Sequence, residues 1–330
     1  MPLFTLDDLH DATAVVRSLV PPTPAYAWPL LARRTGVEVV VKHENHTPTG
    51  SFKARGGLVY VEMLRRENRL PPGLVTATRG NHGQSVAIAA KKAGIPALIV
   101  VPEGNSAEKN AAMEAFGGKL VVAGRDFDEA RAIAGRIASE RDYHCVASFD
   151  RALVLGVATY AYELLTDWPD LSRVYVPVGM GSGICGMIAV RDLLGLRTEI
   201  IGVVADNAPA FALSLACGHP VSTNSANTFA DGLACRQPQA EPFAIIRKGA
   251  AQIVRVSETE IAEAVRVIYT DTHNVAEGAG AAPFAALLKQ REALQGKRVA
   301  IVLSGGNIDI SVFTRLLHAE TRDATARPRK

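Results

Sequence analysis

The sequence predicts an α/β fold made of two doubly wound open-sheet domains, the smaller inserted in the larger. Short apolar runs alternate with helical segments through most of the chain, which is the signature of βαβ units and a parallel sheet. The 330 residues, 48% of them hydrophobic, suffice for one big core or two modest ones, and two domains are favoured. Three of the loops that follow apolar runs are rich in glycine, and open parallel sheets bind ligands outside the carboxyl ends of their strands.

Taken in order, Thr5 is the expected N-cap of a helix over 5–19, with Leu6, Leu9, Val15, Val16 and Leu19 apolar. Pro21-Pro22-Thr23-Pro24 ends it. Residues 37–42 read as a strand that delivers the chain to a bend, Thr47-Pro48-Thr49-Gly50-Ser51-Phe52-Lys53-Ala54-Arg55-Gly56-Gly57. Pro48 and Gly50 shape the bend, and Ser51 is the expected N-cap of the helix that follows. Strands and helices then alternate over 74–77 and 82–94, 97–101 and 107–116, and 119–122 and 126–140. These make up the small inserted domain, 73–150, with 1–72 and 151–330 forming the large one. The large domain resumes with helix 151–166, strand 174–178, helix 183–194, strand 200–204 and helix 207–217. The Gly/Pro/Asn-rich stretch 218–242 is too long for a simple connection. Strand 252–256, helices 257–272 and 279–290, strand 298–303 and a last helix from Asn307 complete the chain.

A net charge of +3, with no block of like charge before the tail 322–330, gives nucleic-acid binding little support. The tail reads as a frayed terminus. Cys145, Cys185, Cys217 and Cys235 show neither a CxxC pair nor zinc-ligand spacing, and they read as buried thiols in a reducing compartment. The first residues are acidic and amphipathic where a secretory signal would be basic and then apolar. No apolar run approaches the roughly 20 residues that cross a bilayer. A cytoplasmic protein is expected.

Lys53 falls in the first turn of its helix, where the dipole disfavours a cation. A chemical reason would be an amine that deprotonates easily and forms an imine with a carbonyl; a solvated surface lysine is the plain alternative. The loop Ala77-Thr78-Arg79-Gly80-Asn81-His82-Gly83-Gln84 sets two glycines among hydrogen-bonding side chains at a helix start. It suits a carboxylate, or is an Asn/Gly turn with a capping role. Pro177-Val178-Gly179-Met180-Gly181-Ser182-Gly183-Ile184-Cys185-Gly186 lets backbone amides approach a phosphate. It matches neither a P-loop nor a dinucleotide fingerprint, so a monophosphate ester fits better. Leu303-Ser304-Gly305-Gly306-Asn307 places a serine at the carboxyl end of its strand, where an N-cap is the alternative. An imine-forming lysine, a phosphate cradle and a carboxylate nest together describe what pyridoxal phosphate and an amino acid need.

Glu44, 49–56, Gly80-Asn81-His82-Gly83-Gln84, 177–186, Ala230-Asp231-Gly232, Glu277-Gly278-Ala279-Gly280 and Ser304-Gly305-Gly306-Asn307 occur in this order over nearly the whole chain. In this set the chain resembles the fold-type II pyridoxal-phosphate enzymes, which are tryptophan-synthase-β-like. Within them it is most similar to the serine/threonine dehydratase and serine racemase group. The resemblance implies that Lys53 is the covalent anchor of the cofactor and the base for the substrate Cα proton, that Phe52 lies against the ring, and that Asn81 hydrogen-bonds its O3′. It implies that Gly179, Gly181, Ser182 and Gly183, with the amide of Met180, hold the phosphate, and that Ser304 meets the pyridine nitrogen. A neutral hydroxyl there leaves that nitrogen largely unprotonated and favours rapid β-elimination over a long-lived carbanion. Substrate contacts are expected from Ser51, Thr78, Arg79, Gly80, Asn81 and His82. The implied activity is an ammonia-lyase that converts threonine, serine or a bulkier 3-phenylserine to a 2-oxo acid and ammonia, with the cofactor phosphate as one candidate acid. A homodimer is expected.

Departures from the group carry information. Arg79 stands where racemases of the group have a serine as second base, and an arginine essentially never deprotonates, so racemisation is disfavoured. Arg79 is left either to a substrate carboxylate or to solvent. Val204 and Ala210 replace the Glu and Asp with which some relatives bind a divalent cation, so no such metal site is expected; a monovalent cation on backbone carbonyls stays open. Met180 and Ser182 replace glycines usual in the phosphate loop. The chain ends soon after its last helix, and no regulatory domain or isoleucine feedback is expected. His82 and Glu277 are candidates for the pocket wall, with a core histidine and a helix-entry carboxylate as alternatives. Rival readings are an amino-acid racemase, a β-replacement synthase of the cysteine-synthase kind and a silent ligand-binding homologue. Lys53→Ala is expected to abolish both the visible absorbance of bound cofactor and turnover; retained turnover refutes the assignment.

Overall fold

Thr5 opens α1 (Leu6–Arg17) through a capping box: its Oγ1 accepts from the Asp8 amide at 3.1 Å, and the Asp8 carboxylate accepts from the Thr5 amide at 2.8 Å. The computed structural model describes residues 2–318, so the tail at 322–330 lies outside the described residues. After the proline turn come β1 (Ala25–Ala27), α2 (Pro29–Thr35), β2 (Glu38–His43) and α3 (Lys53–Arg66). The next stretch runs β3 (Leu74–Ala77), α4 (Asn81–Ala93), β4 (Ala97–Val101), α5 (Ala107–Ala115), β5 (Gly118–Val122), α6 (Phe127–Arg141) and β6 (His144–Cys145). Then follow α7 (Arg151–Asp167), β7 (Arg173–Pro177), α8 (Ser182–Leu193), β8 (Glu199–Ala205), α9 (Ala210–Cys217) and α10 (Ala240–Gly249). The chain closes with β9 (Gln252–Val256), α11 (Glu258–Thr272), α12 (Gly278–Gln290), β10 (Arg298–Leu303) and α13 (Ile310–His318).

The strands form two sheets, in the orders β1-β2-β10-β7-β8-β9 and β5-β4-β3-β6. All pairings are parallel except that of the edge strand β1. In the large sheet the order reverses between β7 and β10, and in the small one between β3 and β6. Such switch points open a crevice at the carboxyl ends of the strands. The loops after β7, β10 and β3 are the three glycine loops read from the sequence.

Alternate residues of one strand enter different cores, as a period of two requires. Leu74, Ile99, Val101, Val174 and Val176 join the main cluster with α1, α3, α7 and α8. Val75, Leu98 and Val100 face Ala130 and Ala134 of α6, while Tyr175, Val299 and Ile301 pack under α11 and α12. Among the described residues no helix is long and apolar enough to cross a membrane.

Several local expectations need correction. Cys145 and Cys217 are exposed, because β6 is a two-residue edge strand and Cys217 ends α9; only Cys185 and Cys235 are buried. The last helix starts at Ile310, since Asn307 spends its side chain on hydrogen bonds to neighbouring loops. The stretch 218–242 runs into α10, whose first turn contains Pro242, a position where a missing N–H costs nothing. β1 and α2 were not foreseen.

Beneath the first turns of α3 lies a buried ion network. Arg55 donates to Glu44 through Nε at 2.8 Å and to Glu163 through two nitrogens at 2.8 and 2.9 Å. Lys42 donates to Glu163 at 2.6 Å, and Thr23 Oγ1 donates to Glu44 at 2.5 Å. Arg55 and Glu44 are both 0% exposed. Breaking such a pair leaves an uncompensated buried charge and costs about 3–5 kcal/mol. Arg55→Leu is therefore expected to lower the unfolding free energy by an amount in that range, read as a lower urea midpoint at unchanged m-value. A loss under roughly 1 kcal/mol, the size of an exposed pair, would show the network to be dispensable.

Candidate active site

β2, β10 and β7 are neighbours in the large sheet, so the segments that leave their carboxyl ends lie side by side. The bend before α3 is closed by Thr47, whose Oγ1 accepts from the Ser51 amide at 2.9 Å and donates to the Ser51 carbonyl at 2.7 Å. It is stitched to the loop after β10: the Phe52 amide donates to the Ser304 carbonyl at 3.1 Å, and the Gly306 amide to the Gly50 carbonyl at 2.9 Å. Ser51 does not cap α3. The helix starts one residue later with Phe52 at the cap position, and the buried Ser51 Oγ has no hydrogen-bond partner.

Lys53 is the first residue of α3, with its Nζ 4.7 Å from the centre of the Phe52 ring. The residue is half-buried in the cleft, and among the described residues no carboxylate lies within ion-pair distance of it. Burial pulls its ammonium down from 10.5 to about 8, with Glu277 pulling the other way. The Phe52 ring meets Tyr160 edge-on at 6.1 Å, and Tyr160 Oη donates to the Gly183 carbonyl at 3.0 Å. This brings the lysine bend to the glycine loop after β7.

That loop ends in Gly181, at φ +100, which caps α8. The first amides of α8, at Ser182 and Gly183, have no acceptor within their own helix. Gly179 admits no side chain, because a Cβ there would overlap the Gly232 carbonyl. Met180 is half-buried and Ser182 buried. Ser304 follows β10 and is 3% exposed.

The small sheet contributes from the other side. Ser85 Oγ donates to the Lys53 carbonyl at 2.5 Å, so α4 touches the start of α3. Asn81, the first residue of α4, donates through Nδ2 to Glu277 Oε1 at 2.8 Å and accepts from Asn307 Nδ2 at 2.8 Å. Thr78 is buried, and its Oγ1 accepts from the Gly80 amide at 3.0 Å. His82 is buried with Nε2 unpartnered; burial first, then the charge of Lys53, pushes its pKa to about 4, so the ring is neutral at ordinary pH. Arg79 is exposed, on the solvent side of the loop. The structure thus joins Phe52, Lys53, Asn81, the glycine loop, Ser304 and Glu277, while Arg79 stands apart.

Lys109 was not foreseen. It lies on α5 and pairs at 2.6 Å with Asp231, in the segment between α9 and α10, and both line a cleft of about 370 Å³ with Glu277 and Asn307. A lone lysine on an amphipathic helix carries no sequence signal for such a role. Val204 lies inside β8 and Ala210 opens α9.

These features fit pyridoxal phosphate. The cofactor needs a reactive amine, and Lys53 offers one that sheds its proton near pH 8. It needs a phosphate cradle, and the positive end of α8 beside a loop in which Gly179 leaves no room for a Cβ offers one. The buried Ser51 Oγ and His82 Nε2 have no hydrogen-bond partner among the described residues, as polar atoms beside a cofactor and its substrate require.

Fold, cradle and amine together define a pyridoxal-phosphate enzyme of fold type II. The chain belongs to the pyridoxal-phosphate dependent enzyme family, whose model matches residues 16–305. Among curated relatives it is 36% identical over 317 residues to the L-threonine ammonia-lyase of Thermotoga maritima, covering 96% of this chain and 79% of that one. It is 39% identical over 285 residues to the L-threonine ammonia-lyase of Geobacter sulfurreducens, covering 86% and 70%. The structure of maize serine racemase superposes with a TM-score of 0.88 at 26% identity, covering 94% of this chain and 96% of that one.

Because the Lys53 ammonium is destabilised, stability linked to it is complete above the unfolded value of 10.5 and is lost as pH falls through about 8. The same shift is expected to make the Lys53 amine reactive toward acylating reagents from about pH 8. Labelling of the cofactor-free protein with an amine-selective reagent, read by peptide mass spectrometry, should show Lys53 turning reactive through about pH 8. A midpoint near 10.5 would contradict the desolvated site.

Proposed function

We propose that the protein is an ammonia-lyase that dehydrates and deaminates a 3-hydroxy amino acid, threonine, serine or a bulkier 3-substituted serine, to a 2-oxo acid and ammonia. The observation that carries this reading is one lysine amine, its ammonium pKa lowered by burial to about 8, at the meeting of the glycine loop that caps α8 and the loop after β3. The likeness to two L-threonine ammonia-lyases supports it.

Pyridoxal phosphate, when bound, supplies an aldehyde that captures an amino group and a conjugated ring that takes up the electron pair released at the substrate Cα. The chain's own residues do the rest. Amides of Met180, Gly181, Ser182 and Gly183, with Gly179 leaving room, would hold the phosphate at the positive end of α8. Phe52 would lie against the ring, Asn81 would hydrogen-bond its O3′, and the buried Ser304 hydroxyl would meet its nitrogen. Backbone and side-chain donors of Ser51, Thr78, Gly80 and Asn81 orient the substrate carboxylate. Lys53 Nζ takes the Cα proton, a task suited to an amine whose ammonium pKa is about 8. The β-hydroxyl then departs, taking up a proton, as water, and hydrolysis of the released enamine consumes one water in turn, so the net products are the 2-oxo acid and ammonia.

A second base would be needed to return a proton to the opposite face of Cα. Arg79 cannot serve, because a guanidinium holds its proton, and His82, its pKa pushed to about 4 by burial and the charge of Lys53, is neutral near pH 7 and so a poor proton donor there. Elimination is therefore favoured over racemisation. We also place the enzyme in a reducing, cytoplasmic setting, a reading supported by four free cysteines. The test is a panel of 3-hydroxy amino acids, both enantiomers of each, scored for ammonia, 2-oxo acid and inverted substrate. Release of 2-oxo acid from one enantiomer is expected. Inversion without ammonia would favour a racemase, and 2-oxo acid suppressed by added sulfide a β-replacement enzyme.

A further inference from the structure

The Asn81 carboxamide belongs to a directed chain of hydrogen bonds that cofactor contacts alone do not require. Asn307 Nδ2 donates to the Thr49 carbonyl at 2.8 Å and to Asn81 Oδ1 at 2.8 Å, and Asn81 Nδ2 donates to Glu277 Oε1 at 2.8 Å. A carbonyl only accepts, so the direction is fixed from Thr49 onward; an ionised carboxylate, also only an acceptor, agrees with it at the far end. One Nδ2 hydrogen of Asn81 is left over. Two glycines make room for the chain. A Cβ at Gly50, where φ is +66, would lie 2.5 Å from Asn307 Oδ1, and one at Gly305 would lie 2.6 Å from Glu277 Oε1. The Glu277 backbone is itself pinned, its amide donating to the Gly305 carbonyl at 3.1 Å.

We propose that Glu277 is a positioning residue: together with Asn307 it fixes the Asn81 carboxamide so that its remaining Nδ2 hydrogen is held ready for the cofactor. This rests on the reading that Asn81 meets the cofactor. The charged groups facing Glu277 are Lys53 on α3, Lys109 on α5 and Asp231, and burial lifts its carboxyl to about 7 against the pull of Lys109 and Asn81. A protonated carboxyl is a donor at one oxygen, so the orientation slackens as pH falls through that value.

The test titrates cofactor-free protein with pyridoxal phosphate by fluorescence, and follows the visible spectrum of the loaded protein between about pH 6 and 8. Glu277→Ala should weaken cofactor binding roughly tenfold or more, as does losing one buried hydrogen bond. Asn81→Ala should do at least as much. Glu277→Gln, which keeps an acceptor oxygen, should recover most of the binding and flatten the pH dependence of the spectrum. Asn307→Ser breaks the other end of the chain, should act in the same direction, and serves if Glu277→Ala does not fold. Wild-type binding by Glu277→Ala or Asn307→Ser beside a weakened Asn81→Ala overturns the proposal. Wild-type binding by Asn81→Ala overturns the assignment of Asn81 itself.

Discussion

Two cations and two carboxylates, Arg55, Lys42, Glu44 and Glu163, are buried together under the amino end of α3, and the position of Lys53 depends on them. Each ion alone would cost several kcal/mol to remove from water, so the group is tolerable only because the charges sum to zero and nearly every donor has an acceptor. Arg55 illustrates the constraint. Burial would lower its pKa, yet Glu44 and Glu163 raise it. The network ties the Thr23 turn, the end of β2, the start of α3 and the middle of α7 into one object. Its geometry leaves the helix no freedom to slide, which is what a side chain two residues earlier needs if its amine is to meet a ligand.

Close backbone packing completes the restraint. A Cβ at Gly57 would meet Ser85 Oγ and one at Gly156 would meet the Arg55 carbonyl, so α4 and α7 both approach α3 at the distance of bare backbone. Through α4 the small sheet touches the same helix turn that carries Lys53. Further out, Lys109 reaches Asp231, and Ser106 Oγ donates to Asp309 at 2.6 Å. The two sheets therefore share polar contacts around the cleft, in addition to the apolar cluster that runs between them.

Much of this was legible in the sequence because it is local. Strands 74–77, 97–101 and 252–256 were bounded by glycine, proline or capping residues, and they fall where alternation placed them. Elements that lack a period failed: β1 has three residues, β6 has two, and Pro242 made the first turn of α10 look like loop. The same division holds at the site. Glycine loops after strands announce themselves within ten residues. The contacts that organise them do not, because Asn81 and Glu277 are 196 residues apart and Lys109 and Asp231 are 122 apart. Nothing near Lys109 in the sequence distinguishes it from the other lysines on helix surfaces.

Proton affinities in the cleft then follow from burial acting on opposite charge types. Desolvation lowers Lys53 to about 8 and His82 to about 4, and raises Glu277 to about 7. Lys53 and Glu277 consequently exchange protons over the same narrow range while His82 stays neutral, a spread that pairwise attraction alone would not create. Of the two groups that titrate near neutrality, Glu277 is already engaged by Asn81, whereas Lys53 has only an aromatic face beside it. On the proposed reading this asymmetry is what makes the site a one-base device: the Lys53 amine is free to take a proton from Cα, whereas Glu277, the other group that titrates near neutrality, is held by Asn81.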